Sequence, residues 1–231
     1  MSQTPDSAAR IRADAEEAEA FAGMDTAYGD RRVDLALRGL DLAIAGGVLV
    51  VFSPLLGLVA VAIRVSSGSP VLYRGPRVGR GGVVFEMYKF RTLSADAESR
   101  LGPYLGDELT ERTEQEVTAL GRPLRAVHVD ELPQFINVLK GEMSVVGPRP
   151  IRPTFFAELT AAVPQYWQRL VVRPGVTGFA QTRVRREETW TDKLSHDLEY
   201  IADRSAGLYV QVLWATGWRI LRRIAAGLSG R

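Results

Sequence analysis

From Leu42 to Ile63 the chain reads LAIAGGVLVVFSPLLGLVAVAI, 22 residues without a charge. A helix of that length can cross the ~30 Å hydrocarbon core of a bilayer. A buried core helix is the alternative, although soluble helices are rarely apolar on every side for so long. Ser53-Pro54 stands at the centre of the run. Proline removes a backbone donor and its ring clashes with the preceding turn, so a bend is expected there. The Ser53 hydroxyl can satisfy a carbonyl that the proline leaves free. Arg31, Arg32 and Arg38 precede the run; Arg64, Arg74, Arg77 and Arg80 follow it. Basic flanks stay on the cytoplasmic side. Two basic flanks therefore predict a bent, re-entrant hairpin that enters and leaves by one face.

Charge is distributed unevenly around this segment. Residues 1–30 carry a net −5 and few large apolar groups, leaving +7 for the rest of a chain whose total is +2. The first 30 residues are expected to be an acidic, disordered tail. They lack the basic start and apolar run of a secretory signal. No cysteine occurs, which excludes disulfides, thiolate nucleophiles and zinc-thiolate sites. With only His128 and His196 besides, a metal would be held by carboxylates, which suits a hard cation such as Mg2+.

A second membrane contact is expected at the other end. LYVQVLWATGWRILRRI (208–224) places Val210, Leu213, Trp214, Gly217, Ile220, Leu221 and Ile224 on one helical stripe, with Arg219, Arg222 and Arg223 beside it. Trp and Arg bordering such a stripe suit a helix lying in the headgroup layer. A terminal helix docked on the core is the alternative.

Between these ends the elements are short and mixed. Residues 70–93 read as two strands joined by Gly79, Gly81 and Gly82. Residues 94–120 are polar. A short helix ends at Lys140-Gly141, and the VGPRP turn (146–150) follows. A helical pattern broken at Pro164, a glycine-rich RPGVTGFAQT loop and the helical TDKLSHDLEYIAD complete the chain. The predicted fold is a compact α+β domain (69–231) behind a membrane helix (31–68).

Two features of this body carry chemistry. The stretch VHVDELPQF (127–135) sets Asp130 and Glu131 side by side before Pro133. Asp130 as an N-cap and Glu131 in the first helical turn would account for them structurally. Basic residues also recur in turns and at strand ends: Arg77, Lys89, Arg91, Arg125, Arg149 and Arg173. A glycine/proline frame bearing guanidinium groups suits a phosphorylated ligand, and solvated surface arginines are the plain alternative. Aromatic interleaving on a sheet face is absent, which argues against nucleic acid.

The succession PVLYRGPRVGRGGVVFEMYKFRT, VDELPQFINVLKGEMSVVGPRP and VVRPGVTGFAQT, behind a basic-flanked apolar segment with Ser-Pro, resembles the bacterial sugar transferase family of monotopic phosphoglycosyl transferases. The resemblance runs from about Arg32 to the C-terminus, in the minimal form without an N-terminal multi-span domain. It implies transfer of a sugar-1-phosphate from a UDP-sugar to undecaprenyl phosphate, with release of UMP, as the first membrane step of polysaccharide or glycoconjugate assembly. It implies a ping-pong mechanism with Asp130 as nucleophile, Glu131 as the Mg2+ ligand and Arg149 as a phosphate clamp. Lys89, Arg91, Arg125 and Asp197 match further functional positions; Arg173 and Gln181 of the glycine-rich loop are counted with them as substrate contacts. The implied location is the cytoplasmic face of a bacterial inner membrane, with a re-entrant helix broken at Ser53-Pro54. A homodimer is left open. The chain departs from the pattern at Gly75-Pro76, usually Gln-Glu, and at Val127-His128, usually Thr-Ser.

This chemistry is physically sound. A carboxylate can attack phosphorus to form an acyl phosphate, provided a metal and arginines cancel the repulsion between anions. Two competing readings remain: a membrane-bound phosphohydrolase acting on nucleotide sugars, and a non-enzymatic adaptor at the membrane surface.

Overall fold

The computed structural model describes residues 32–101, 106–183 and 189–228. The acidic segment lies outside them, as do the side chains of Arg223 and Ile224.

The apolar run forms two helices, α1 (Arg32–Val51) and α2 (Ser53–Ser67). They are bent against each other by 61°. Among the described residues no single helix is long and apolar enough to cross a membrane; the bent pair reaches that length and composition together. The cause of the bend is local. Pro54 cannot donate to the carbonyl of Val50, and the Ser53 hydroxyl takes its place, donating to Val50 O at 2.8 Å. One face of the pair is buried through Leu37, Asp41, Ala45, Val59 and Ile63, while Val50, Val51, Leu58, Val61 and Val65 are exposed.

β1 (Leu72–Val78) and β2 (Val84–Phe90) pair antiparallel, from Leu72 opposite Phe90 to Val78 opposite Val84. Their connection is the expected glycine turn. Gly81 and Gly82 have φ of 64° and 77°, which glycine adopts without strain. Along β2 the period of two sends Phe85, Met87 and Lys89 to the same side, so the apolar inner face ends in an ammonium group. The outer edge of β2 is closed by a side chain instead of a strand. Asn137 donates from Nδ2 to Glu86 O at 2.7 Å and accepts from Tyr88 N–H at 3.0 Å, pairing the edge as a neighbouring strand would.

Helices α3 (Ala97–Leu101), α4 (Gly106–Glu116) and α5 (Gly121–Ala126) lead to the acid pair. Beyond it come α6 (Gln134–Lys140), ended by Gly141 at φ 83°, and β3 (Ser144–Val146). α7 (Pro153–Ala162) gives way to a 3-10 helix over Pro164–Val171, as the proline predicts. The glycine-rich stretch is more ordered than a loop: it contains β4 (Gly175–Thr177), parallel to β3, and α8 (Phe179–Arg183). α9 (Trp190–Asp203) begins with a capping box between Thr189 and Asp192, and α10 (Ala206–Leu228) ends the described chain.

The main core gathers Leu37 and Ala45 of α1, Met87 of β2, Val138 of α6, Val145 of β3 and Tyr209 of α10. α2 packs separately, through Val59 and Ile63, on Phe90 and Leu124. α10 docks on the core along one face and leaves another face exposed. Tyr209 and Val212 are buried in the core, whereas Trp214 is 76% exposed and is flanked by exposed Val210, Trp218 and Leu221. Leu213 leaves the predicted stripe to pack on the core, and Trp218 joins the outward face.

Candidate active site

Asp130 and Glu131 lie in a 3-10 turn over Val129–Glu131, with Leu132 and Pro133 between them and α6. The capping account of the pair therefore fails. The turn is preceded by His128 at φ 57°, ψ 21°, in the left-handed region, and no side chain caps it. Asp130 does not cap α6 either; Pro133 occupies that position without a side-chain bond. The left-handed kink at His128 breaks the chain direction after α5 and turns both carboxylates inward.

The environments of the two acids differ. Asp130 is 7% exposed, and its Oδ1 is buried with no hydrogen-bond partner. Burial pushes its carboxyl up to about 6, the Glu131 charge adds to this, and Lys89 and Arg125 pull the other way. Glu131 Oε1 accepts from Lys89 Nζ at 2.6 Å and lies 4.0 Å from Arg149 Nη2. His128 Nδ1 is 3.9 Å from Glu131 Oε2. Burial opposes the charge on Glu131, but Lys89 and Arg149 outweigh it and hold the carboxyl down to about 2. Lys89 is itself half-buried, and its desolvation lowers the ammonium from the usual lysine range against the pull of Glu131.

Arg149 reaches this point because two sequence motifs lock together. Gly147 N–H donates to Thr177 O, and Gly175 N–H donates to Pro148 O, each at 2.9 Å. The backbones approach so closely that a Cβ on Gly147 would lie 2.4 Å from Arg173 O, and one on Gly175 2.1 Å from Gly147 N. Glycine is required at both positions.

Of the residues singled out in the sequence, Lys89, Arg125, Arg149 and His128 surround the acid pair. Three others are engaged elsewhere. Arg91 is buried and donates to the carbonyls of Ser67, Gly68 and Ser69 at the end of α2. Arg173 Nε donates to Gly141 O at 2.8 Å, behind α6. Asp197 forms a buried pair with Arg169 at 2.7 Å. Gln181 lies at the Gly178 end of the glycine-rich stretch, its Oε1 buried without a partner. Sequence reasoning missed Asn137, Arg169 and Asp41. The signal available for Asn137 and Asp41 was a lone polar residue inside an apolar pattern.

The arrangement can hold and attack an anion. Lys89, Arg125 and Arg149 supply positive charge, and Asp130 supplies an oxygen without a partner. Among the described residues no group of three acids or histidines gathers into a metal cage. Mg2+ commonly takes only one or two carboxylates and completes its shell with water and substrate phosphates. The acid pair, with one orphaned oxygen, fits that mode.

A family model described as bacterial sugar transferase matches residues 33–223. The chain is 36% identical over 197 residues to a UDP-N-acetylgalactosamine-undecaprenyl-phosphate N-acetylgalactosaminephosphotransferase of Aeromonas hydrophila, covering 84% of this chain and 44% of that protein. It is 41% identical over 174 residues to a UDP-glucose:undecaprenyl-phosphate glucose-1-phosphate transferase of Caulobacter vibrioides, covering 73% and 63%. It is 35% identical over 196 residues to the exopolysaccharide production protein PSS of Rhizobium leguminosarum bv. phaseoli, covering 80% and 94%. The chain thus spans about half the length of the first two relatives. A match over this much of the sequence, joined to the acid pair and its cations, places it: the chain belongs to the bacterial sugar transferase family.

Proposed function

We propose that the chain transfers a sugar-1-phosphate from a UDP-sugar to undecaprenyl phosphate and releases UMP. The observation that carries this reading is Asp130: a buried carboxylate with an unpartnered oxygen, beside a second acid held in its charged form by Lys89 and Arg149. An Asp130 oxygen attacks the phosphorus that bears the sugar. A P–O bond to that carboxylate forms, the bond to the bridging oxygen breaks, and UMP leaves with the electron pair. A phosphate oxygen of undecaprenyl phosphate then attacks the same phosphorus and frees the carboxylate, giving the lipid diphosphate sugar. Two displacements through a covalent intermediate make the scheme ping-pong.

Arg149 clamps the donor phosphates, and Lys89 and Arg125 offset their charge. Glu131 would hold Mg2+, with the donor phosphates completing its shell; the metal would neutralise phosphate charge and so reduce the repulsion that Asp130 meets. The bent pair α1–α2 and the outward face of α10 would seat the protein on one leaflet, at the cytoplasmic face of a bacterial inner membrane, with the site at headgroup level. The relatives from Aeromonas hydrophila and Caulobacter vibrioides support the donor class and the lipid acceptor, and they differ in the sugar.

The test is nucleotide release by full-length protein in detergent with Mg2+, undecaprenyl phosphate and a panel of UDP-sugars, for wild type and Asp130→Asn. The expected product is UMP, dependent on the lipid and lost in the variant and with chelator. UMP formed without lipid would favour the hydrolase. UDP would replace the covalent mechanism with glycosyl transfer, and no release from any donor would favour the adaptor.

A further inference from the structure

The first apolar helix carries a polar stripe. Asp34, Arg38 and Asp41 follow one another at helical spacing on α1, and each bonds to a different part of the body. Asp34 receives Arg204 Nε and Nη2 at 2.7 and 2.8 Å. Arg38 donates to the carbonyls of Val138 and Leu139 at 2.7 and 3.2 Å, in the last turn of α6. Asp41 is 3% exposed, and its Oδ1 alone accepts three bonds: from Val145 N–H at 2.8 Å, Ser144 Oγ at 2.9 Å and Tyr209 Oη at 2.8 Å.

These contacts converge on the site from two directions. α6 begins three residues after Glu131, so fixing its far end fixes the direction in which the acid pair is presented. β3 ends three residues before Arg149, so fixing Ser144 and Val145 fixes where the clamp begins. We propose that Arg38 and Asp41 are positioning residues: through α6 and β3, α1 sets the separation between the acid pair and Arg149. The catalytic consequence rests on the transferase reading above; the positioning itself does not.

The polar stripe does what apolar packing cannot. Hydrophobic contact tolerates a small slide of a helix along its neighbours, because it has no direction. Three directed bonds on one oxygen do not, since any slip leaves buried donors without an acceptor. A single residue of slip moves a helix by about 1.5 Å and turns it by about 100°. Misplacement of reacting groups by about 1 Å can cost about a hundredfold in rate.

The experiment uses the full chain in detergent, with Asp41→Asn, Arg38→Gln and Tyr209→Phe. It reads amide hydrogen exchange by segment, thermal melting, and kcat and KM for the donor. Asp41→Asn keeps the size of the side chain and an acceptor oxygen but removes the charge that strengthens three bonds. Exchange over 144–149 is expected to quicken about tenfold, with kcat down about tenfold and donor KM within about twofold, as loss of alignment and not of binding predicts. Arg38→Gln is expected to produce the same pattern over 129–140. Tyr209→Phe removes one donor, leaves the acceptor in place and should give an intermediate effect. Should Asp41→Asn fail to fold, Tyr209→Phe carries the same readouts. Unchanged exchange over 144–149 in folded variants would overturn the proposal, as would a kcat loss fully explained by a smaller folded fraction. If wild type releases no UMP from any donor, the transferase reading fails, and the exchange arm alone decides the positioning claim.

Discussion

Lys89 Nζ stands 2.6 Å from Glu131 Oε1, joining the last inward position of β2 to the turn that bears the acid pair. The contact fixes which carboxylate is the charged partner of a cation and which is left with a free oxygen. Lys89→Met keeps the bulk of the stem and removes the charge. Glu131 then keeps only Arg149 and His128, each about 4 Å away. A kcat/KM loss of about a hundredfold is expected, near 3 kcal/mol of electrostatic stabilisation. Steady-state UMP release measures it, and a loss below about threefold would show that the pair is structural only.

Asp130 should make the protein less stable at neutral pH. Its carboxyl titrates near 3.8 when exposed and near 6 when folded. Between those values the folded chain holds the proton and the unfolded chain has released it. Stability therefore falls as pH rises from about 4 to about 6 and stays lower above, by at most about 3 kcal/mol. Asp130→Asn is expected to raise the melting temperature by several degrees at pH 7.5 in chelator and to leave it unchanged at pH 4. Glu131 runs the other way: its contribution is present above about pH 4.5 and is lost as pH falls toward about 2. A variant that melts like wild type at both pH values would show that Asp130 is not desolvated. On the transferase reading, kcat/KM should fall below about pH 6 as the nucleophile gains its proton.

Arg91 separates a structural role from a substrate role. Its guanidinium closes the end of α2 by donating to three carbonyls, so Arg91→Ala should cost about 2–4 kcal/mol. Arg91→Lys should not restore the loss, because an ammonium cannot reproduce the fork of donors. Donor KM should be unchanged per folded molecule. A raised KM at normal stability would return Arg91 to the substrate site.

Asn137 tests how β2 is held. Asn137→Leu removes the bonds to Glu86 O and Tyr88 N–H and leaves both backbone groups without that partner at a half-buried edge. A loss of about 2–4 kcal/mol is expected in thermal or denaturant unfolding. Near-wild-type stability would mean that water replaces the amide.

Much of this architecture is legible in the sequence because the signals are local. The glycine turn at 79–82, the helix stop at Gly141 and the break at Pro164 each follow from one residue's dihedral or missing donor. The acid pair is visible as chemistry, but its geometry is not. The left-handed turn at His128 is a conformation few non-glycine residues adopt, and no hydrophobic period marks it. The basic residues show the same limit. Composition marks Lys89, Arg91, Arg149 and Arg173 alike, and only the fold separates those facing Glu131 from those holding carbonyls. Asp41 was hidden for a related reason: its three donors lie more than 100 residues away along the chain.

The bend between α1 and α2 makes a prediction about topology. With no cysteine in the chain, a single introduced thiol reports without background. Leu35 and Ser66 are exposed on either side of the bend. In membrane vesicles of known orientation, Leu35→Cys and Ser66→Cys should both react with an impermeant maleimide from the cytoplasmic side, as a re-entrant pair requires. Reaction from opposite sides would mean a kinked span. The bend rests on two supports: Ser53 Oγ satisfies the carbonyl that Pro54 frees, and Val59 and Ile63 pack on Phe90 and Leu124. Ser53→Ala removes only the first and leaves Val50 O without a donor, a cost of about 1 kcal/mol inside lipid. Same-side labelling should therefore survive that change, with a slightly lower melting temperature. A switch to opposite-side labelling in Ser53→Ala would mean that the hydroxyl bond, and not the packing of α2 on the body, sets the topology.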